Sequence, residues 1–214
     1  QRGHGKSEGN RAYIKDINLM LDDLSIILSQ EHDELVPNFV YGHSMGGLIV
    51  TKYMIERNVN LIKAVLLTGA ALQLDKDLSP FLLKIVPILS AILPKLPTQP
   101  LDKTYISRNQ QVVDDYINDP LNYIGGVKSR TAAQMISAIN KVREAFSKFN
   151  KPCLLMHGGD DKLTDPDGTR LLYENSSSSD KELKIWEGLF HELVNEDEKE
   201  EVIQKMEDWI LTRS

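Results

Sequence analysis

The sequence has little of what marks several large classes of protein. Its 214 residues include a single cysteine, Cys153, which excludes an internal disulfide framework and is typical of a reducing compartment. No uninterrupted apolar stretch reaches the length of a membrane-spanning helix. The formal net charge is −6, and this acidic excess argues against a general nucleic-acid-binding role. We therefore expect a cytoplasmic globular protein, and we predict neither a metal ion nor a cofactor.

Short apolar runs alternate with amphipathic segments along most of the chain. Hydrophobic residues make up 41% of the sequence, which is enough for one domain with a buried core. The apolar runs predict strands at residues 37–43, 61–70, 151–159 and 182–188. Apolar residues at steps of three or four predict helices at residues 11–30, 46–58, 165–175 and 198–214. Apolar strands alternating with helices indicate an α/β fold with a mostly parallel sheet.

One region, residues 72–149, breaks this alternation. It is mostly helical in pattern and contains the most apolar segment of the chain, residues 78–97. An all-helical insert between two strands of an α/β sheet is typical of a lid or cap. The sequence thus predicts a core in two parts, residues 1–71 and 150–214, with a helical cap at 72–149.

The motif GHSMG, residues 42–46, lies between a predicted strand and a predicted helix. A serine in this context is typical of a nucleophile elbow, where the chain turns sharply and the Ser44 hydroxyl projects above the sheet. We expect glycine at positions 42 and 46 because side chains there would collide. The backbone N–H of Met45, at the start of the helix, would be one donor to an oxyanion.

His191 is the histidine best placed to activate this serine. A serine hydroxyl is a poor nucleophile without a base, and after this elbow the acid and then the base follow in the chain. Among the five histidines, only His191 has the required order and position, in the loop after the last predicted strand. His157 closes an earlier strand, where we expect a packing role.

Three carboxylates follow the predicted strand 151–159 and are candidates for the acid. Loop position favours Asp161, while Asp160 remains the alternative. Asp165 is expected to cap the next helix, because Pro166 comes directly after it. With such an acid to orient His191 and stabilise its cation, Ser44 would attack an ester carbonyl and form an acyl-enzyme that water hydrolyses.

These segments together resemble monoglyceride lipases of the serine α/β-hydrolase superfamily. The resemblance covers essentially the whole chain. RGHGKSEG is similar to the family's loop after the fourth strand, GHSMGG to its elbow, and YISRN and YINDPL to its cap. HGGDDKLTDPDGTRLLYE and KELKIWEGLFHEL are similar to its acid and base segments. The resemblance implies an α/β-hydrolase fold and a triad of Ser44, Asp161 and His191.

The resemblance also implies a substrate and a way of reaching it. The substrate would be a monoacylglycerol, split into a fatty acid and glycerol. Tyr116 matches a cap tyrosine that helps bind the glycerol head, with a merely packed aromatic as the alternative, and His43 is expected to contact substrate. The family's apolar cap helix, here residues 78–97, contacts the membrane and admits acyl chains, with an ordinary buried cap helix as the alternative.

The sequence departs from the family at its start. It begins with QRGHGKSEGN, which has no initiator methionine and is no signal peptide. The family's early HG motif, whose neighbouring amide completes the oxyanion hole, has no counterpart before RGHG. We therefore expect a chain truncated at its N-terminus, without the first strands and without a second oxyanion donor. Its activity alone would be impaired, and residues 38–43 would form an exposed sheet edge.

Other functions are compatible with the same residues. A lysophospholipase or a general carboxylesterase would use the same triad. A haloalkane dehalogenase or epoxide hydrolase is disfavoured, because those enzymes carry aspartate where Ser44 stands. A binding protein on the hydrolase fold, or an inactive fragment, is the alternative from another class.

Overall fold

The structure, a computed structural model, describes residues 1–30, 36–74, 80–98 and 100–214. Residues 75–79 and 99 of the predicted cap lie outside these ranges. The strands are β1 (Phe39–His43), β2 (Ala64–Thr68), β3 (Cys153–Gly158) and β4 (Lys181–Trp186). The helices are α1 (Asn18–Gln30), α2 (Met45–Glu56), α3 (Pro80–Ile92), α4 (Gln110–Asn118), α5 (Ser129–Glu144), α6 (Pro166–Asn175) and α7 (Lys199–Leu211).

The strands form one parallel sheet in which spatial order follows chain order, β1-β2-β3-β4. Every residue of β2 and β3 is buried, which explains why these strands lack alternation between polar and apolar residues. The predicted α/β fold with a parallel sheet is confirmed. Within the described residues, β1 is an outer strand that pairs only with β2, and its Tyr41 is 47% exposed.

Helices cover both faces of the sheet and enclose two apolar clusters. The larger cluster joins α1, α2 and α5 to one face and includes Leu48 and Leu67. The smaller cluster packs α7 onto the other face through Val202 and Trp209. Cys153 lies in the larger cluster, where burial raises the pKa of its thiol to about 12. This thiol is therefore not a nucleophile at neutral pH.

The helix predicted over residues 11–30 is confirmed only from the start of α1, and the prediction for its first residues is wrong. Ile14 and Ile17 are buried as that pattern requires, but their backbone N–H groups bond to another element. Ile14 N–H donates to Thr131 Oγ1 at 2.9 Å, and Ile17 N–H donates to Gln134 Oε1 at 3.0 Å. Both acceptors belong to α5, so this stretch is held by tertiary contacts instead of by its own helix.

The segment between β2 and β3 carries α3, α4 and α5. Its described residues contain no strand beyond an isolated antiparallel bridge between Pro97 and Lys128. Ala138 of α5 belongs to the larger apolar cluster, so the last helix of this segment packs with the core. The predicted boundaries of core and cap stay a prediction. Within the described ranges, every helix is too short or too polar to cross a membrane.

The first testable prediction concerns the contact between Thr131 and the stretch before α1. Thr131 Oγ1 accepts from Ile14 N–H and donates to the Ala12 carbonyl at 3.0 Å. Thr131→Val leaves both backbone groups without this partner, and we expect a loss of about 2 kcal/mol in the free energy of unfolding. Urea unfolding measures the change, with the exposed Thr212→Val as the control. Equal stability of the two variants would show that this contact does not hold the stretch.

Candidate active site

Ser44 lies at the sharp turn between β1 and α2. Its backbone has φ 54° and ψ −122°, and a positive φ is seldom adopted by a residue with a side chain. Its N–H donates to the Thr68 carbonyl at 3.1 Å. Its own carbonyl accepts from the N–H groups of Leu48 and Ala71, at 3.2 and 3.1 Å. These bonds hold a strained strand–turn–helix geometry, which is the geometry of a nucleophile elbow.

Steric crowding requires glycine at positions 42 and 47 of this turn, whereas the sequence predicted it at 42 and 46. A Cβ at Gly42 would lie 2.9 Å from Gly46 O and 3.0 Å from Val50 Cγ2. The collision predicted at Gly46 is wrong, because a Cβ there would have no described atom within 4 Å. The crowded glycine of the helix is instead Gly47, where a Cβ would lie 2.6 Å from Ala70 Cβ.

Asp161 and His191 meet at the carboxyl edge of the sheet, in the loops that follow β3 and β4. His191 Nδ1 lies 2.7 Å from Asp161 Oδ2, and both residues are only 5% exposed. Because an ionised carboxylate only accepts hydrogen bonds, the proton of this contact belongs to Nδ1. The Nε2 atom of a neutral His191 is then left with a lone pair and can accept a proton.

The Asp161 carboxylate is surrounded by donors. Its Oδ1 accepts from the N–H groups of Leu163 and Thr164, at 2.7 and 3.0 Å. Burial acts to raise the pKa of Asp161, but hydrogen bonds from His157 and His191 outweigh it and hold the pKa well below its usual range. The Asp161 carboxyl group therefore stays ionised across the neutral pH range.

The other two carboxylates of this loop have different surroundings. Asp160 is exposed, whereas Asp161 reaches the imidazole. Asp165 is the N-cap of α6, where its side chain accepts from Asp167 N–H at 2.9 Å. The expectation that Asp165 caps this helix is confirmed.

The ring of His43 lies beside the ring of His191. Its ring centroid is 4.6 Å from that of His191, and its Nδ1 lies 3.0 Å from both the carbonyl and the hydroxyl of Thr68. Burial, reinforced by the charge of a protonated His191, lowers the pKa of His43 to about 4. His43 is therefore neutral at neutral pH and places no positive charge beside His191.

A cavity of about 600 Å³ joins these residues. Ser44, Met45, His43 and His191 line it from the sheet side, and Tyr116 lines it from α4. Further lining comes from side chains of the helical segment, mainly Leu101, Ile106, Leu121, Val127 and Met135. Burial, and then the charge of Glu192, raise the pKa of Tyr116, so its phenol keeps its proton. The lining thus combines these apolar side chains with polar and charged ones, among them Arg11, Lys103, Asp119 and Glu192.

The buried carboxylate of Glu196 links the loop that carries His191 to the helical segment through hydrogen bonds. Glu196 is 1% exposed and accepts from Phe190 N–H at 2.8 Å and from Arg108 Nε at 3.0 Å. Glu192 N–H also donates to the Ile106 carbonyl at 2.8 Å. Sequence reasoning missed Glu196, because nothing in its acidic run separates this carboxylate from its solvated neighbours.

The remaining features of the site are its possible metal ligands and its possible oxyanion donors. Among the described residues, no group of three or more His, Cys, Asp or Glu side chains is arranged to hold a metal ion. Met45 begins α2, directly after Ser44, so its N–H belongs to the helix N-terminus at the cavity. The roles expected for the site residues, and the expected lack of a second oxyanion donor, stay predictions.

Comparisons with known proteins agree with this architecture. The profile of the Hydrolase_4 family, described as serine aminopeptidase, S33, matches residues 1–198. A monoacylglycerol lipase of Mycolicibacterium smegmatis is 32% identical over 99% of this chain and 76% of its own length. The human monoglyceride lipase is 34% identical over 99% of this chain and 71% of its own length. The crystal structure of Paleococcus ferrophilus monoacylglycerol lipase superposes with a TM-score of 0.90, at 27% identity, over 100% of this chain and 82% of that one.

The crowding at the turn gives the second testable prediction. Gly47→Ala forces the new Cβ against Ala70, and we expect a loss of about 2 kcal/mol in the free energy of unfolding. Gly46→Ala is the matched control, because it adds the same methyl group to open space and replaces glycine in a helix, which favours folding by about 1 kcal/mol. Urea unfolding compares the two variants. Equal destabilisation by both substitutions would contradict the packing described here.

Proposed function

The chain belongs to the Hydrolase_4 family, and we propose that its site cleaves the ester bond of monoacylglycerols, releasing a fatty acid and glycerol. The observation that carries the proposal is that strained Ser44 shares a cavity with His191, whose Nδ1 is bound to buried Asp161. The family description names a peptidase, and the relatives above are named as lipases. Both chemistries transfer an acyl group to serine, and the apolar cavity walls favour a fatty acyl ester over a peptide.

The proposed mechanism uses each of these residues at a defined atom. Nε2 of His191 removes the hydroxyl proton of Ser44, and Oγ attacks the ester carbonyl. The N–H of Met45 donates to the oxyanion that forms, and the dipole of α2 adds to this stabilisation. Asp161 keeps the imidazole in the required tautomer and stabilises its cation.

Collapse of the tetrahedral intermediate completes the first half of the reaction. His191 gives its proton to the departing glycerol oxygen, and an acyl group remains on Ser44 Oγ. A water molecule, deprotonated by the same nitrogen, then attacks the acyl-enzyme carbonyl. Release of the fatty acid returns the proton to Ser44.

The polar groups of the cavity fit the glycerol end of such a substrate. We assign Tyr116 to hydrogen bonding with a glycerol hydroxyl, because its protonated phenol lines the cavity. Neutral His43, which also lines it, can contact the same end without repelling a protonated His191. The hydrocarbon walls supplied by the helical segment are left for the acyl chain.

We further propose that α3 and the residues after it rest on a lipid surface. Four large apolar side chains of this part are exposed: Ile88 at 57%, Ile92 at 71%, Leu93 at 51% and Leu96 at 41%. Two residues that line the cavity are exposed as well, Leu101 at 55% and Leu121 at 42%. A helix that keeps its apolar side chains in water is typical of one that buries them in an interface.

The catalytic proposal gives the third testable prediction. Ser44→Ala should abolish hydrolysis of monooleoylglycerol and labelling by a fluorophosphonate probe, because the hydroxyl is the attacking group. Ser29→Ala, at an exposed serine of α1, is the control and should keep both. Labelling of the Ser44→Ala variant at the wild-type rate would contradict the assignment. Faster turnover of lysophosphatidylcholine than of monooleoylglycerol would replace the proposed substrate with a phospholipid.

The lipid-surface proposal gives the fourth testable prediction. Replacing Ile88 and Ile92 by Gln together should lower partitioning onto phosphatidylcholine vesicles by at least about tenfold, because two large apolar side chains no longer leave water. Ile203→Gln is the matched control, since Ile203 is 41% exposed on α7. Co-sedimentation measures bound protein, and hydrolysis of a monoacylglycerol below its aggregation concentration checks that the site is intact. Equal sedimentation of the double variant and the control would contradict the proposal.

A further inference from the structure

His157 is a buried titratable group to which the mechanism above gives no part. It is the penultimate residue of β3, four residues before Asp161, and its side chain has no exposed surface. Burying an imidazole without hydrogen-bond partners is costly, so a residue that only fills space here would more easily be apolar. The packing role expected for it leaves its two nitrogens unexplained.

Both nitrogens have partners, and these partners define the tautomer. Nε2 lies 3.1 Å from Asp161 Oδ2, 3.3 Å from the Thr164 carbonyl and 3.2 Å from Thr164 Oγ1. The carboxylate and the carbonyl can only accept, and the Thr164 hydroxyl donates to Asp161 Oδ2 at 2.8 Å. The proton must therefore be on Nε2. In the neutral ring Nδ1 is then an acceptor, and it lies 2.7 Å from the hydroxyl of Thr169, which can donate to it.

We propose that His157 is a positioning residue for the reaction, a second imidazole that holds the Asp161 carboxylate in place for His191. The proposal rests on the hydrolase function proposed above. A chain of hydrogen bonds runs from Thr169 on α6, through His157 and Asp161, to His191.

The geometry around Asp161 explains what the second imidazole does. Oδ2 is approached by three side chains, His191 at 2.7 Å, His157 at 3.1 Å and Thr164 Oγ1 at 2.8 Å. Oδ1 is held by two backbone N–H groups. With both oxygens bound, the carboxylate cannot rotate about its bond to Cβ without breaking several hydrogen bonds. The oxygen that His191 needs is thereby kept in one place.

The second imidazole also has an electrostatic effect. A buried carboxylate tends to take up a proton, and the hydrogen bond from His157 is among the interactions that keep the pKa of Asp161 low. By favouring the ionised carboxylate, this contact preserves the negative charge that stabilises the imidazolium forming on His191.

The test compares two substitutions at His157 in steady-state kinetics. His157→Leu removes the donor at similar size, and we expect kcat to fall at least about tenfold, the rate equivalent of one hydrogen bond to a charged group. KM should stay unchanged, because a side chain without exposed surface cannot touch substrate. His157→Gln keeps an N–H donor and should recover most of the lost rate. Equal kcat for wild type and His157→Leu, or equal losses in both variants, would overturn the proposal.

A second pair of variants covers the case in which His157→Leu fails to fold. Thr169→Val keeps the shape of the side chain and removes the hydroxyl that bonds Nδ1, whereas Thr169→Ser keeps the hydroxyl. We expect Thr169→Val to lower kcat several-fold at unchanged KM, and Thr169→Ser to match wild type within about twofold. Equal kcat in the two Thr169 variants would overturn the role given to the chain of hydrogen bonds.

A spectroscopic measurement separates this proposal from the proposed function. The N–H proton between His191 and Asp161 should give a far-downfield proton resonance without any substrate, and His191→Gln identifies it by its loss. We expect Thr169→Val to shift or broaden this resonance and Thr169→Ser to leave it in place. An unchanged resonance in Thr169→Val would overturn the positioning role even in an active enzyme. A shifted resonance in a protein without hydrolase activity would support that role and reject the function.

Discussion

The arrangement of the site depends on one buried carboxylate, that of Asp161. Removing such a charge from water is expensive unless hydrogen bonds compensate, and here two backbone amides and three side chains surround it. These donors come from the loop after β3, the end of β3 and the loop after β4. The carboxylate therefore fixes the relative position of three chain segments, and it can hold His191 only while its other partners keep it ionised and oriented.

The second constraint is the turn at Ser44, where the chain holds a positive φ at a residue with a side chain. Such strain persists only where the surroundings over-determine it. The bonds from Ser44 to Thr68 and Ala71 supply part of that support, and the tight approach of Gly47 to Ala70 supplies the rest. Both supports come from the end of β2 and the residues after it. Ser44 follows β1 and Asp161 follows β3, the two strands that flank β2 in one parallel sheet, and the carboxyl ends of these strands meet at a common edge.

The elbow at Ser44 and the helix cap at Asp165 could be predicted from the sequence because each depends on neighbours close in the chain, and the parallel sheet could be predicted because its buried strands are apolar and alternate with helices. Features that depend on distant residues were not predictable in this way. The predicted start of the first helix at residue 11 was wrong, because the N–H groups of Ile14 and Ile17 donate hydrogen bonds to side chains of α5. The collision was predicted at Gly46, but the crowded residue is Gly47, which packs against Ala70 after β2. The roles of Glu196 and His157 gave no local signal, since Glu196 depends on the distant Arg108 and His157 on the way the loop after β3 folds back onto it.

Asp161 is bound to His191 Nδ1, and His191 shares one cavity with Ser44, so the proposed proton path leads from Ser44 to a base that this carboxylate holds. A crystal structure of the protein after reaction with a long-chain alkyl fluorophosphonate would test it most directly. The account predicts phosphorus bound to Ser44 Oγ, a phosphoryl oxygen at the Met45 N–H, and Asp161 Oδ2 still contacting both His191 and His157, with the alkyl chain along the walls of the 600 Å³ cavity. An adduct on another residue, or a His191 turned away from Asp161 in the adduct, would contradict it.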